Sequence, residues 1–283
     1  MGRRELARWR SLFNPDCWER WRRAYFNESR ILAFCGEECC GGCLMTDAVD
    51  LYSGKRVLKL RHFIRPPSAP ALATLVAYAE KNSPAGEGWI ELESHHAKHD
   101  ALVAALGFTC VQLDLELQVE RSGLRSVSDT VRPATTDDLQ QIRELAHRCL
   151  PEILCYPPGL DRQIVVEHSR RCHPTLTANL NLSDQTLEVM VAHNQEGTLT
   201  GYLVLVVDEE SALINDIAVA QEFRGGPTAR QLLAAALARL RRLEISLLEA
   251  TIAADNPRSW KPARRLGFEI VSKRWLKRID SGS

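Results

Sequence analysis

The chain has 283 residues, with 36 basic against 36 acidic side chains, 45% apolar and 25% charged. That length can bury one or two cores, and the balanced charge excludes the polycation that general nucleic-acid or membrane-surface binding needs. No apolar run approaches a bilayer span and MGRRELARWR has no secretory core, so the expectation is a cytoplasmic protein with no nucleic-acid or membrane partner, its nine cysteines free thiols.

Residues 1–30 interleave eight Arg with Trp9, Phe13, Trp18, Trp21, Tyr25 and Phe26. Asn14, Pro15 and Asp16 make a helix start, and Trp18, Trp21 and Tyr25 then share one face to bury. Strands follow at Ile31 to Cys35, Cys39 to Tyr52 and Val57 to Ile64. After ArgProProSerAlaPro (65–70) the spacing of Leu72, Leu75, Val76 and Ala79 predicts a helix from Ala71 to Lys81. A strand at Trp89 to Leu92, a helix from His96 to Leu106, the tripeptide LeuGlyPhe and a strand from Val111 to Val119 complete the first half.

Cys35, Cys39, Cys40 and Cys43 offer four thiolates, enough for a tetrahedral zinc site or an iron–sulfur cluster. Their spacing is not a paired CxxC form, and across a hairpin the same residues serve as small apolar side chains. His95, His96 and His99 read as a solvated face near a helix start.

A polar stretch from Ser122 divides the chain into domains at 1–122 and 131–283, joined by 123–130. The second half opens with a strand and turn at 131–139, then a helix burying Leu139, Ile142, Leu145 and Ala146. TyrProProGly (156–159) breaks the chain, a second helix runs from Leu160 to Arg171, and a hairpin pairs Leu187 to Ala192 with Leu199 to Val207 around AsnGlnGluGly. From Leu213 to Val219 the pattern is a strand, with Leu213, Ile217 and Val219 on one face, Ile214 and Ala218 on the other, and both faces covered. Arg224, Gly225, Gly226 and Pro227 then form a basic glycine turn into a helix from Thr228 to Arg242. A strand at Ile245 to Ile252, a helix at Pro257 to Leu266 and a strand from Phe268 to Leu276 end the fold. A strand, a glycine turn and a helix suit an anion, because the free N–H groups of the first helical turn and the macrodipole both favour negative charge there.

AVAQEFRGGPTA (218–229) resembles the acetyl-CoA motif of the GNAT acetyltransferase family, (Q/R)xxGx(G/A), with Pro227 where the family has its second Gly. AspAsnPro (255–257) followed by ArgArgLeuGlyPhe (264–268) is similar to the family's closing motif. The resemblance covers about the last 155 residues, and the order of elements in the first half parallels it. It implies an α/β fold of two tandem GNAT-like domains, each a mostly antiparallel mixed sheet flanked by helices. In the first domain Pro66, Pro67 and Pro70 stand where donor N–H groups are needed, so it is expected to be degenerate.

The family's function implies acetyl-CoA as co-substrate and direct transfer to an amine, with a small molecule as acceptor by analogy with two-domain members. The pantetheine arm is expected along Ile217, Ala218 and Val219 and the diphosphate on Arg224, Gly225, Gly226, Thr228 and Ala229, with Asn256 joining them from the closing motif. Asp216 is the candidate base, against a structural cap or pair; Glu209 and Glu210 are alternatives acting through water or a solvated turn. Ala263 occupies the position where many members place a Tyr acid, and Arg258, Lys261, Arg264 and Arg265 either meet the adenosine phosphate or form a solvated face. A noncatalytic GNAT-fold binding module, or a transferase coupled to a metal or redox sensor at the cysteine cluster, is the rival reading.

Overall fold

The same tripeptide terminates a helix in each half of the chain. After α2 (Ala97–Ala105) and α6 (Pro257–Arg265), Gly107 and Gly267 take φ of 84° and 102°, in the left-handed region that glycine enters without steric cost. The next N–H turns back, Phe108 to the Val103 carbonyl and Phe268 to that of Ala263, the bond pattern of a glycine-ended helix. Each Phe then enters the core and a strand follows.

The computed structural model describes residues 30–35, 40–49, 55–65, 69–82, 88–95, 97–124, 129–172, 180, 182 and 186–279. The aromatic helix expected near Trp18, and Pro66, Pro67, Cys39 and His96, lie outside them. The first half contains β1 (Arg30–Cys35), β2 (Cys40–Val49), β3 (Arg56–Arg65), α1 (Ala69–Asn82), β4 (Gly88–Ser94), α2 and β5 (Thr109–Gln118). The second contains β6 (Val131–Pro133), α3 (Leu139–Ile153), α4 (Arg162–Cys172), β7 (Leu187–His193), β8 (Leu199–Val207), β9 (Ser211–Val219), α5 (Thr228–Arg242), β10 (Leu247–Ala253), α6 and β11 (Glu269–Ile279). Ahead of α3, Thr135 and Asp138 form a reciprocal capping box, which fixes where the helix begins.

All strands among the described residues join one 11-stranded sheet, ordered β1-β2-β3-β4-β11-β5-β10-β9-β8-β7-β6. Each half has one parallel neighbour pair, β3 with β4 and β9 with β10. The halves exchange their last strands: β5 lies beside β10 and β11 beside β4. Leu113, Leu115 and Leu117 of β5 therefore enter the core under α5, together with Leu232, Leu237 and Leu240. A second core lies under α1 and α2, and a third under α3, on the opposite face around Tyr202 and Val204. Among the described residues no helix is long and apolar enough to cross a membrane.

In the β1–β2 hairpin Cys35 stands opposite Cys40, and Cys43 opposite Leu32. Among the residues whose side chains are described, no group of three or more potential metal ligands gathers.

β9 differs from the expected alternation. Val204 pairs with Asp216 and Leu205 with Ile214, so Asn215 is an extra, bulged residue. The bulge reverses the phase: Ile214 and Ile217 both pack toward the α5 core, while Asp216 meets Tyr202 and Ala218 joins the α3 core. Leu213 is left 37% exposed, so that end of the strand is not covered on both faces.

Candidate functional site

The ladder between β9 and β10 ends at Ile214 and Ala250, yet β9 continues to Val219 and β10 to Ala253. Past that point the two strands diverge and a gap opens between them. Ala220 donates its N–H to the Thr200 carbonyl at 2.9 Å. By the alternation of an antiparallel ladder, Ala218 and Asp216 then share their bonds with β8, and Ile217 and Val219 turn their N–H and carbonyl groups away from it, into the gap. Of the three positions expected along the pantetheine arm, Ile217 and Val219 line the gap with backbone. Ala218 does not: its peptide belongs to β8 and its side chain to the core.

At the mouth of the gap the chain makes a short 3-10 turn at Gln221–Phe223. Gly225 takes φ of 80°, and Pro227 has helical angles directly before Thr228, the first residue of α5. Its carbonyl accepts the Gln231 N–H at 2.9 Å, so the proline fits the turn without breaking it. The N–H groups of Gly226, Thr228 and Ala229 meet no acceptor among the described residues. This first turn is thus a nest of donors at the positive end of a fifteen-residue helix. Thr228 is buried, with its methyl over Gly201.

Arg224 is not a free phosphate contact. Its N–H goes to the Gln221 carbonyl and its Nε to the Val219 carbonyl at 3.1 Å. Nη1 meets both Glu152 oxygens at 3.0 and 2.8 Å, and Nη2 lies 3.5 Å from the Cys149 Sγ. Burial works against its charge, but the Glu152 carboxylate outweighs it and keeps the guanidinium pKa above the ordinary value. Burial pushes the Cys149 thiol up, despite the pull of Arg224. Asn256 is likewise engaged, its Nδ2 donating to the Glu152 carbonyl at 3.0 Å.

Asp216 lies on the α3 face of β9, 7% exposed, and accepts the hydroxyl of the fully buried Tyr202 at 2.6 Å. Glu209 and Glu210 precede β9 at its other end; nine residues at about 3.3 Å each place them roughly 30 Å from Val219. That distance removes them as water-mediated bases. Ala263 packs against the α5 core, and Arg258, Lys261, Arg264 and Arg265 project from the exposed side of α6, with Lys261 5.6 Å from the Trp260 ring. On the α3 face of the sheet beyond the gap, Asp114 of β5 accepts from Gln112, Thr251 and Ser272.

Sequence reasoning missed Glu152 and Tyr202. Glu152 stands 72 residues from Arg224 with no motif around it, whereas the period-two pattern of β8 placed Tyr202 in a strand without naming its partner. A separate open cavity of about 510 Å³ lies at the β6–β7 edge, lined by Arg132, Asp138 and His193; none of the predicted site residues reaches it. There the Asp138 carboxyl, which burial alone would raise, is held down to about 2 by Arg132 at 2.8 Å and by the Thr135 N–H and hydroxyl.

Comparison with known proteins gives three findings. The acetyltransferase (GNAT) family profile matches residues 139–268. L-2,4-diaminobutyric acid acetyltransferase of Halomonas elongata is 28% identical over 162 residues, 54% of this chain and 79% of that protein. The fold is similar to that of a GCN5-related N-acetyltransferase from Sphaerobacter thermophilus (TM-score 0.52, 14% identity, 88% of this chain and 82% of that one) and of a GNAT-family acetyltransferase from Colwellia psychrerythraea (TM-score 0.52, 14% identity, 95% and 98%). The parted strands and the donor turn lie within the stretch 139–268 that matches the acetyltransferase (GNAT) family, and over that stretch the chain is similar to it.

Proposed function

We propose that the chain is an acetyl-CoA-dependent N-acetyltransferase acting on the amine of a small molecule. The observation that carries this reading is the gap past Ile214 and Ala250, into which Ile217 and Val219 turn backbone groups just below the donor nest at Gly226, Thr228 and Ala229. These residues suit a diphosphate followed by a pantetheine amide: N–H donors at a helix end for the anion, and for the amides the strand edge at Ile217 together with the Val219 N–H.

When bound, acetyl-CoA supplies the activated acyl group. The Val219 N–H is the donor nearest the end of the strand and serves the developing oxyanion. Asp216, on the acceptor-facing side of β9, takes a proton from the acceptor ammonium and so frees the amine lone pair for attack, with Tyr202 fixing the carboxylate through Oδ2. No Tyr acid stands at Ala263, but a thiolate whose solution pKa is about 8.5 can leave through water. Asp114 and Thr251 beyond the gap supply polar groups suited to a cationic acceptor.

Calorimetric titration with acetyl-CoA, followed by thiol release over a panel of amines headed by the diamine for which the Halomonas relative is named, tests the reading. Micromolar binding and turnover with at least one amine are expected. Asp216→Asn should lower kcat about 10²–10⁴-fold with acetyl-CoA affinity unchanged. Absence of heat with acetyl-CoA would leave a binding module built on the same fold.

A further inference from the structure

The carboxylate of Glu152 and its backbone carbonyl reach opposite sides of the gap. The carboxylate holds Arg224, in the turn that follows β9; the carbonyl, one of the unpaired acceptors at the end of α3, takes Asn256, which opens α6 after β10. Arg224 passes this hold on to the strand itself, because its Nε occupies the Val219 carbonyl. The connection onward to α4 is tied to the β10 side as well: Arg162 bonds Asp255 at 2.7 Å and lies 4.5 Å over the Tyr156 ring, whose hydroxyl bonds the Pro151 carbonyl. The segment from Pro151 to Arg162 is therefore a strap across the mouth of the gap.

Stability does not explain the arrangement. The Glu152 side chain is 51% exposed and that of Arg224 32%, a setting in which an ion pair contributes little. What the pair does fix is orientation. The Val219 carbonyl shares its peptide plane with the Ala220 N–H, so Arg224 on one side and the Thr200 carbonyl on the other hold that plane, and with it the end of β9.

We infer that Glu152 is a positioning residue: acting through Arg224 on the Val219 carbonyl and through its own carbonyl on Asn256, it sets the separation of the two strand ends and so the width of the gap. The inference rests on the acetyl-CoA reading above. It assigns Arg224 and Asn256, two of the nine residues expected on the cofactor, to holding the gap rather than to contacting phosphate.

The test compares wild type, Glu152→Ala, Glu152→Asp, Arg224→Ala and the double variant Glu152→Ala/Arg224→Ala, with acetyl-CoA as the probe. Thermal midpoints should move by less than about 3 °C. The Glu152→Ala change should lower kcat about tenfold or more, because small misplacement at the reacting centre is costly, and should speed amide hydrogen exchange in the peptide containing Val219. The Asp variant should recover part of both, and the double variant should be no worse than Arg224→Ala alone, as expected of residues acting in series. Unchanged kcat and exchange in Glu152→Ala, or full additivity in the double variant, would overturn the inference while leaving the transferase reading intact. Absence of acetyl-CoA binding by wild type would instead overturn that reading, and the inference with it.

Discussion

Gly201 is where the fold and the gap depend on a single missing methyl group. A Cβ at this position would stand 2.8 Å from the Ala218 carbonyl oxygen, 3.0 Å from the Thr228 Cγ2 and 3.2 Å from the Leu232 Cδ1. The side-chain contacts can yield by small rotations, but the carbonyl belongs to β9, so relief requires β9 to bend or α5 to lift. Overpacking of this kind costs about 1–3 kcal/mol, and the smaller unfolded-state entropy of Ala returns about 0.4–1 kcal/mol. The net expectation for Gly201→Ala is a loss of about 1–2 kcal/mol, a fall in Tm of roughly 2–8 °C. Because Ala218 lies between Ile217 and Val219, and Thr228 begins the donor turn, acetyl-CoA affinity should fall in the same variant. Gly123→Ala, which meets nothing within 4 Å, is the control. Differential scanning calorimetry and titration of both variants check the reasoning; a Gly201→Ala protein with wild-type Tm and affinity would show that α5 does not bear on this part of the sheet.

Replacing Thr228 by Val keeps its shape against Gly201 and removes only the hydroxyl; if that hydroxyl makes up for the donor absent at Pro227, titration should show about tenfold weaker acetyl-CoA binding with an unchanged Tm. Asp138 lies at about 2 instead of 3.8, a depression worth about 2 kcal/mol of stability that is complete above about pH 4 and lost as pH falls through 2. Asp138→Asn should therefore lower the urea midpoint clearly at pH 7 and less at pH 3, and an equal gap at both pH values would refute the charge-based account. Residues 131–283 expressed alone lack β5, leaving β10 an open edge and the α5 core without Leu113, Leu115 and Leu117; size-exclusion should show self-association or aggregation, and a stable monomer would show that the exchanged strand is dispensable.

Apolar spacing carried most of the elements: α5 begins at Thr228 and ends at Arg242 as its periodicity predicts, because Leu232, Leu233, Ala236, Leu237 and Leu240 leave only one face to bury. Glycine chemistry carried the turns, since Gly107, Gly225 and Gly267 all adopt the left-handed angles their positions require. The Asn215 bulge was not legible, because an extra residue leaves an alternating pattern intact on either side and only the partner strand reveals the slip. For the same reason the sequence could not separate Ala218 from Ile217 and Val219, or orient Asp216. The roles of Arg224 and Asn256 were hidden differently: a motif records which residues recur beside a ligand, and their partner Glu152 belongs to α3, far away along the chain.

The exchange of β5 and β11 gives the first half a place beside the gap. The β10 wall of the gap is held on its far side by β5, in register from Gln118 opposite Leu247 to Gln112 opposite Ala253. Asp114 then reaches across that pair to the Thr251 hydroxyl at 3.1 Å, just beyond the point where β9 departs. A parallel pair that parts midway exposes one strand edge on each side of the opening, and each edge needs a firm opposite neighbour if the opening is to keep its width. For β9 that neighbour is β8, from its own half; for β10 it is β5, from the other. The last strand of the first half is therefore a structural wall of the gap in the second.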